Sequence, residues 1–118
     1  MVHGSSWQEA NALAQSMVEL TDAFIHPFDH PTIWRGHSTI IDEIAQATKK
    51  PDAIVVAVGG GGLLCGIAEG LERNGWKDVL IVAVETLGAE SLHASIRAGA
   101  RVELPKISSI ATSLGAKW

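Results

Sequence analysis

Apolar positions along the chain fall into two kinds of pattern. In the first half they recur at helical spacing. Ala10, Leu13, Ala14, Met17 and Val18 follow Ser6-Trp7-Gln8-Glu9, an S-x-x-E sequence of the capping-box type, and predict an amphipathic helix over residues 6–20. Ile40, Ile41, Ile44, Ala45 and Thr48 predict a second helix over 37–49, ending in Lys49 and Lys50 where the helix dipole favours cations. Between them, Ala23-Phe24-Ile25 reads as a short strand. Residues 26–36, carrying Pro27, Pro31 and Gly36, read as a loop.

The second kind of pattern is unbroken. Ala53-Ile54-Val55-Val56-Ala57-Val58 is apolar and rich in β-branched residues without alternation, as expected of a parallel strand covered on both faces. Gly59-Gly60-Gly61-Gly62 follows, and helical spacing then runs from Leu63 through Leu71 to a stop at Asn74-Gly75. Residues 79–84 predict a second buried strand closed by Glu85, residues 90–98 a helix stopped at Gly99, and residues 101–103 a weak strand. Strand, loop, helix, strand is a βαβ unit, so the expected fold class is α/β with a mostly parallel sheet. So few strands leave sheet edges open, which predicts self-association into at least a dimer.

Composition narrows the functional classes. The chain has 118 residues, 47% of them apolar and 19% charged, which suits one globular domain over 1–118. Nine Lys and Arg against 13 Asp and Glu leave a net charge of −4 with no basic run. Nucleic-acid binding and a polybasic membrane surface are therefore not expected. The lone Cys65 excludes an internal disulfide and a cysteine metal cluster. The longest apolar run, residues 53–58, is too short to span a bilayer, and no leader is expected ahead of the first helix. The expected location is cytoplasmic.

The glycine run carries the most chemistry. A tight turn needs one or two glycines, not four. Glycine permits positive φ and lets a ligand reach the amides with no Cβ in the way. The helix beginning at Leu63 adds unpaired N–H groups and a partial positive charge. A loop of this kind at the carboxyl end of a parallel strand predicts an anion cradle suited to a phosphate. No Lys follows the glycines, so the P-loop pattern fails. The G-x-G-x-x-G register fails too, at Leu64 and at Cys65. Glu85 sits where a ribose-binding acid would, which keeps a Rossmann-like nucleotide domain as an alternative.

Other chemistry-bearing residues point to less. His26 and His30 are four apart, but Pro27 and Pro31 deny them a shared helix face, so a polar loop is expected there instead of a metal site. His3, His37 and His93 form no cluster, and no G-x-S-x-G elbow is present. Cys65, near a helix start where a thiol pKa can fall, is read as a small core residue. Trp7, Trp34, Trp76 and Trp118 are read as core or interface anchors.

Val58-Gly59-Gly60-Gly61-Gly62-Leu63-Leu64-Cys65-Gly66 resembles the tetraglycine loop of pyridoxal-phosphate enzymes of the tryptophan-synthase-β fold type. The likeness is greatest to the eukaryotic-type L-serine dehydratases (serine ammonia-lyases), with threonine dehydratases next. It extends through Pro27-Phe28-Asp29-His30-Pro31, Trp34-Arg35-Gly36-His37, Val84-Glu85-Thr86-Leu87-Gly88-Ala89-Glu90-Ser91, Leu104-Pro105-Lys106-Ile107 and Leu114-Gly115-Ala116-Lys117.

The resemblance implies a fold-type-II large domain of three layers, a mostly parallel sheet with helices on both faces, of which this chain is a part. It implies β-elimination of L-serine, a small amino acid substrate, to pyruvate and ammonia. The amides of Gly59, Gly60, Gly61, Gly62 and Leu63 would hold the phosphate of pyridoxal phosphate. The family's monovalent-cation site maps to Gly59, Glu85, Ala89, Leu114 and Ala116, an oxygen set suited to potassium. The family's Schiff-base lysine motif, its S-S-G-N-like substrate loop and the segment facing the cofactor ring nitrogen have no counterpart here. The chain thus matches a middle portion of a longer enzyme, and cofactor binding is expected to be weak with little or no turnover. A non-catalytic, self-associating module is the reading from a different class.

Overall fold

The computed structural model describes all 118 residues. Its elements are α1 (Trp7–Ser16), α2 (Pro31–Ala47), β1 (Ala53–Ala57), α3 (Gly62–Arg73), β2 (Leu80–Val84), α4 (Ser91–Ala98) and a 3-10 turn at Thr112–Leu114. The fold class is α/β with a parallel sheet, as the pattern predicts. The chain divides into two compact units, Pro27–Val84 and the pair of segments Met1–His26 and Glu85–Trp118. No helix is long and apolar enough to cross a membrane.

The unit Pro27–Val84 holds the βαβ motif. β1 and β2 pair in parallel with Ala53 opposite Leu80, Val55 opposite Val82 and Ala57 opposite Val84. One more ladder bond, from Val58 N–H to the Val84 carbonyl at 2.8 Å, carries the pairing to the edge of the glycine loop. Ile41, Val56, Val58, Ile67, Leu71 and Val79 form the buried core of this unit. Each such aliphatic side chain contributes about 1.5–3 kcal/mol of transfer free energy. The strands are not covered on both faces, contrary to the expectation from their unbroken apolar run. Val55 is 69% exposed, and Leu80, Val82 and Val84 beside it are exposed as well. An apolar run specifies only that both faces can be buried; a covering layer must come from elsewhere in the fold.

Helices α2 and α3 touch backbone to backbone. Gly62, Gly66 and Gly70 lie at i, i+4 and i+8, on one stripe of α3. A Cβ on Gly66 would stand 2.5 Å from His37 Cβ and 2.6 Å from the Trp34 carbonyl oxygen. One on Gly70 would stand 2.6 Å from the Ser38 carbonyl oxygen. The far end of the crossing is tied by charge. Arg73 donates to Asp42 at 2.6 and 3.2 Å and to the buried Ser38 hydroxyl at 2.9 Å, and Asn74 donates to Asp42 at 2.7 Å.

The Arg73 guanidinium, then the Asn74 amide, hold the Asp42 carboxyl below its usual range. A depressed folded-state pKa adds stability above the unfolded value and loses it as pH falls through the folded one. Thermal unfolding from pH 6 to 3 is therefore expected to show a loss of stability below about pH 4, and Asp42→Asn to flatten it. An unchanged slope in Asp42→Asn would show that this pair has no part in the acid response.

Several boundaries differ from the pattern. Pro31, read as part of a loop, is the first residue of α2, and His30 caps it by accepting the Thr32 N–H at Nδ1 over 3.2 Å. Proline is favoured at that position because its missing N–H would be unpaired anyway. α2 ends at Ala47, before Lys49 and Lys50, with Thr48 already extended at its C-cap, and Pro51 disfavours a helical Lys50 beyond it. α1 stops at Ser16, four residues early, where Asp22 draws Glu19 into a turn through its carboxylate at 3.0 Å. Residues 23–25 and 101–103 are not strands, and Ile25 is 77% exposed. A strand needs a neighbour to complete its hydrogen bonds, and the only ladder is β1 with β2.

Candidate functional site

The glycine loop joins the carboxyl end of β1 to the start of α3. Gly61 is the N-cap of α3 with φ +82°, a value that L side chains resist, and no side chain caps the helix. The first helical bond runs from Cys65 N–H to the Gly61 carbonyl at 2.9 Å. None of the amides of Gly59, Gly60, Gly61, Gly62, Leu63 and Leu64 donates to an acceptor in the chain. Six consecutive main-chain donors at a helix N-terminus concentrate positive potential where an anion is stabilised.

Bare glycine is required at more than the N-cap. A Cβ on Gly60 would clash with the Phe28 ring, and one on Gly62 would stand 2.6 Å from the Phe28 carbonyl oxygen. Gly61, by contrast, faces open space. The loop is thus backed by Phe28 on one side and open on the other. Phe28 is itself anchored, because the Trp34 indole N–H donates to its carbonyl at 2.8 Å. A hollow of about 330 Å³ lies between α3 and β2, lined by Leu71, Val79, Ile81 and the Glu72–Lys77 ion pair. Its charged groups pair with each other at 2.6 Å, leaving none to converge on a ligand.

Cys65 is neither a core residue nor an activated thiol. It is exposed, while partial loss of water around the sulfur and the nearby Asp29 charge push its pKa up.

The other expected site residues lie in the unit formed by Met1–His26 and Glu85–Trp118, whereas Gly59 lies in Pro27–Val84. Glu85 does not simply face solvent. Its two carboxylate oxygens accept the N–H groups of Leu92 at 2.8 Å and His93 at 2.7 Å, satisfying the first turn of α4. Ala89 and Ala116 are buried, and their carbonyls accept no hydrogen bond within the chain. The Leu114 carbonyl accepts from Ala116 N–H at 3.1 Å. The intervening turn is tight: Gly88 has φ +85°, and its N–H donates to Glu90 at 2.6 Å. The chain's lysines include two committed to surface pairs, Lys50 with Asp78 at 2.7 Å and Lys77 with Glu72 at 2.6 Å.

Sequence reasoning overlooked Phe28 and Trp34 as parts of the loop's support and Glu85 as the cap of α4. The glycine stripe at 62, 66 and 70 was a legible signal for a close helix crossing. Nothing in the local sequence signals the indole bond to Phe28.

Comparison with known proteins agrees with this geometry. A family model described as pyridoxal-phosphate dependent enzyme matches residues 1–118. The L-serine dehydratase/L-threonine deaminase of Bos taurus is 49% identical over 117 residues, covering 97% of this chain and 36% of that protein. The L-serine dehydratase of Dictyostelium discoideum is 50% identical over 105 residues, covering 82% and 30%. Among solved structures, a fungal L-serine ammonia-lyase from Rhizomucor miehei superimposes with a TM-score of 0.90 at 41% identity, over 99% of this chain and 38% of that one. Maize serine racemase superimposes with a TM-score of 0.84 at 29% identity, over 96% and 36%. The chain spans about a third of the length of the curated relatives it matches.

Proposed function

The chain belongs to the family of pyridoxal-phosphate dependent enzymes, and on that premise we propose that it is the phosphate-holding part of an L-serine ammonia-lyase, which eliminates the hydroxyl of L-serine to yield pyruvate and ammonia. One observation carries the reading: the unpaired amides of residues 59–64, held open by a φ of +82° at Gly61 and backed by Phe28. The residues fit the group, since a phosphate dianion needs several converging N–H donors and room for its oxygens. Gly59, Gly60, Gly61, Gly62 and Leu63 would hold it. Bound pyridoxal phosphate supplies the electron sink for elimination at the substrate's α- and β-carbons. The chain's own part is to grip and orient the phosphate.

Three further elements belong to this reading. The lysine that bonds to the cofactor comes from outside residues 1–118, because no lysine here lies in the family's N-terminal motif. A monovalent cation, potassium by its hard-oxygen preference, is held by the carbonyls of Ala89, Leu114 and Ala116 with the Glu85 carboxylate. The unused carbonyls of Ala89 and Ala116 support that assignment, while the bonds already made by Glu85 leave it only its second lone pairs. The exposed apolar face around Val55 and Val82 supports self-association, at least to a dimer, and a cytoplasmic location belongs to the same reading.

Titration with pyridoxal phosphate and with pyridoxal, followed by thermal shift and light scattering, tests these points together. Stabilisation by the phosphate ester but not by pyridoxal, with no pyruvate formed from serine above the free-cofactor rate, is expected. Charge-assisted hydrogen bonds of about 1.5–3 kcal/mol each must offset an association cost of about 4–15 kcal/mol, so binding should be weak. Equal effects of both compounds would sink the cradle. Steady pyruvate production would sink the assignment of the lysine elsewhere, and a monomer at micromolar concentration would sink self-association. Stabilisation by NAD or ATP instead would favour the nucleotide-binding alternative.

A further inference from the structure

Resting on the phosphate-cradle reading, we propose that Trp34 is a positioning residue for that cradle, acting through the Phe28 carbonyl. The argument follows a closed circuit of contacts inside the unit Pro27–Val84. α3 begins at the cradle and four residues later presents Gly66, whose missing Cβ lets the Trp34 carbonyl approach to 2.6 Å of where that atom would be. The backbone at Trp34 is thereby registered against α3. From that position the Trp34 indole reaches back six residues and donates its N–H to the Phe28 carbonyl at 2.8 Å. Phe28 then closes on the loop twice, with its ring over Gly60 and its carbonyl and Cα against Gly62. His30, whose Nδ1 accepts the Thr32 N–H at 3.2 Å, fixes the far side of the same short segment.

Several features make this a positioning role and not general packing. The loop's six amides have no partner inside the chain, so no hydrogen bond of their own holds their direction. Glycine adds the widest backbone freedom of any residue. Four of them in a row would sample many conformations in which the N–H groups diverge. Contact with Phe28 removes those in which Gly60 and Gly62 move towards it. The indole bond sets where Phe28 stands, and it is half-buried, where a lost partner is costly. An indole N–H is a donor only, so no other aromatic side chain can keep both the bulk and the bond.

The test uses the whole chain. Trp34→Phe keeps an aromatic ring and removes the donor; replacing Trp34 with 3-benzothienylalanine keeps the bicyclic shape and puts a sulfur in place of the N–H. Inorganic phosphate and pyridoxal phosphate are titrated, with the amide resonances of Gly59, Gly60, Gly61 and Gly62 as the readout. Both variants are expected to bind phosphate about three- to tenfold more weakly, the worth of one hydrogen bond, with those resonances broadened or shifted before phosphate is added. Asp42→Asn, at the other end of α2, serves as a variant that weakens the fold without touching the loop, and it should bind phosphate as the parent does. Phosphate affinity unchanged in both Trp34 variants would overturn the positioning role and leave the cradle standing. An equal loss in Asp42→Asn would reduce the effect to global destabilisation and also overturn it. Absence of any phosphate response at these amides in the parent chain would remove the cradle itself, and this role with it.

Discussion

Gly66→Val is expected to destabilise the chain by about 3 kcal/mol, the upper part of the range for overpacking a close contact. The atoms in the way are His37 Cβ at 2.5 Å and the Trp34 carbonyl oxygen at 2.6 Å. Both belong to the framework of α2, so no flexible side chain can swing aside. Helix propensity works against the clash: glycine to alanine in a helix interior gains about 1 kcal/mol, and valine recovers less of it. Gly66→Ala brings the same Cβ against the same atoms, so it should also destabilise, by less than valine. Gly36 supplies the contrast. It lies in α2 with nothing within 4 Å of a built Cβ, so Gly36→Ala should stabilise by up to about 1 kcal/mol. Denaturant unfolding of the three variants measures all of this. If Gly66→Ala stabilised the chain as much as Gly36→Ala, the two helices could not lie as close as the glycine stripe implies.

Gly60→Ala and Gly61→Ala should each weaken binding of pyridoxal phosphate tenfold or more, the loss of at least one charge-assisted hydrogen bond. They act by different routes. Alanine at 60 forces its Cβ into the Phe28 ring, so either the ring or the loop must move. Alanine at 61 meets nothing but must hold φ near +82°, at a cost of about 1–2 kcal/mol. The loop can escape that cost by turning Gly61 to negative φ, which re-aims the amides of the helix N-terminus. Isothermal titration beside a thermal melt separates the two effects. Near-parental affinity in both variants would mean that the phosphate is not held by these amides.

Much of the site was legible before any coordinates because its chemistry is local. A run of four glycines between a β-branched strand and a helix restricts the backbone to few uses, and Gly61 does take a positive φ with the loop amides unpaired within the chain. The stop at Asn74-Gly75 and the left-handed Gly99 were legible for the same reason: each depends on one residue's own backbone. Pro31 was legible in principle and was misread, since proline breaks a helix interior but favours its first turn. The exposure of Cys65 is not legible locally, and its raised pKa comes first from partial loss of water around the sulfur and then from Asp29, thirty-six positions earlier, both set by the fold.

Local pattern alone determined the α/β class, the parallel character of β1 and β2, and the glycine loop between β1 and α3 with its positive-φ turn. It did so because φ preferences, helix capping and side-chain periodicity are decided within a few residues. Only the tertiary structure decided that one sheet face stays open at Val55 and Val82, and that Glu85 caps α4. It also decided that Arg73 reaches Asp42 and Ser38, and that the Trp34 indole and Phe28 stand behind the loop. Burial and hydrogen-bond partnership are properties of whichever groups the fold brings within a few ångströms, and their separation along the chain carries little record of it.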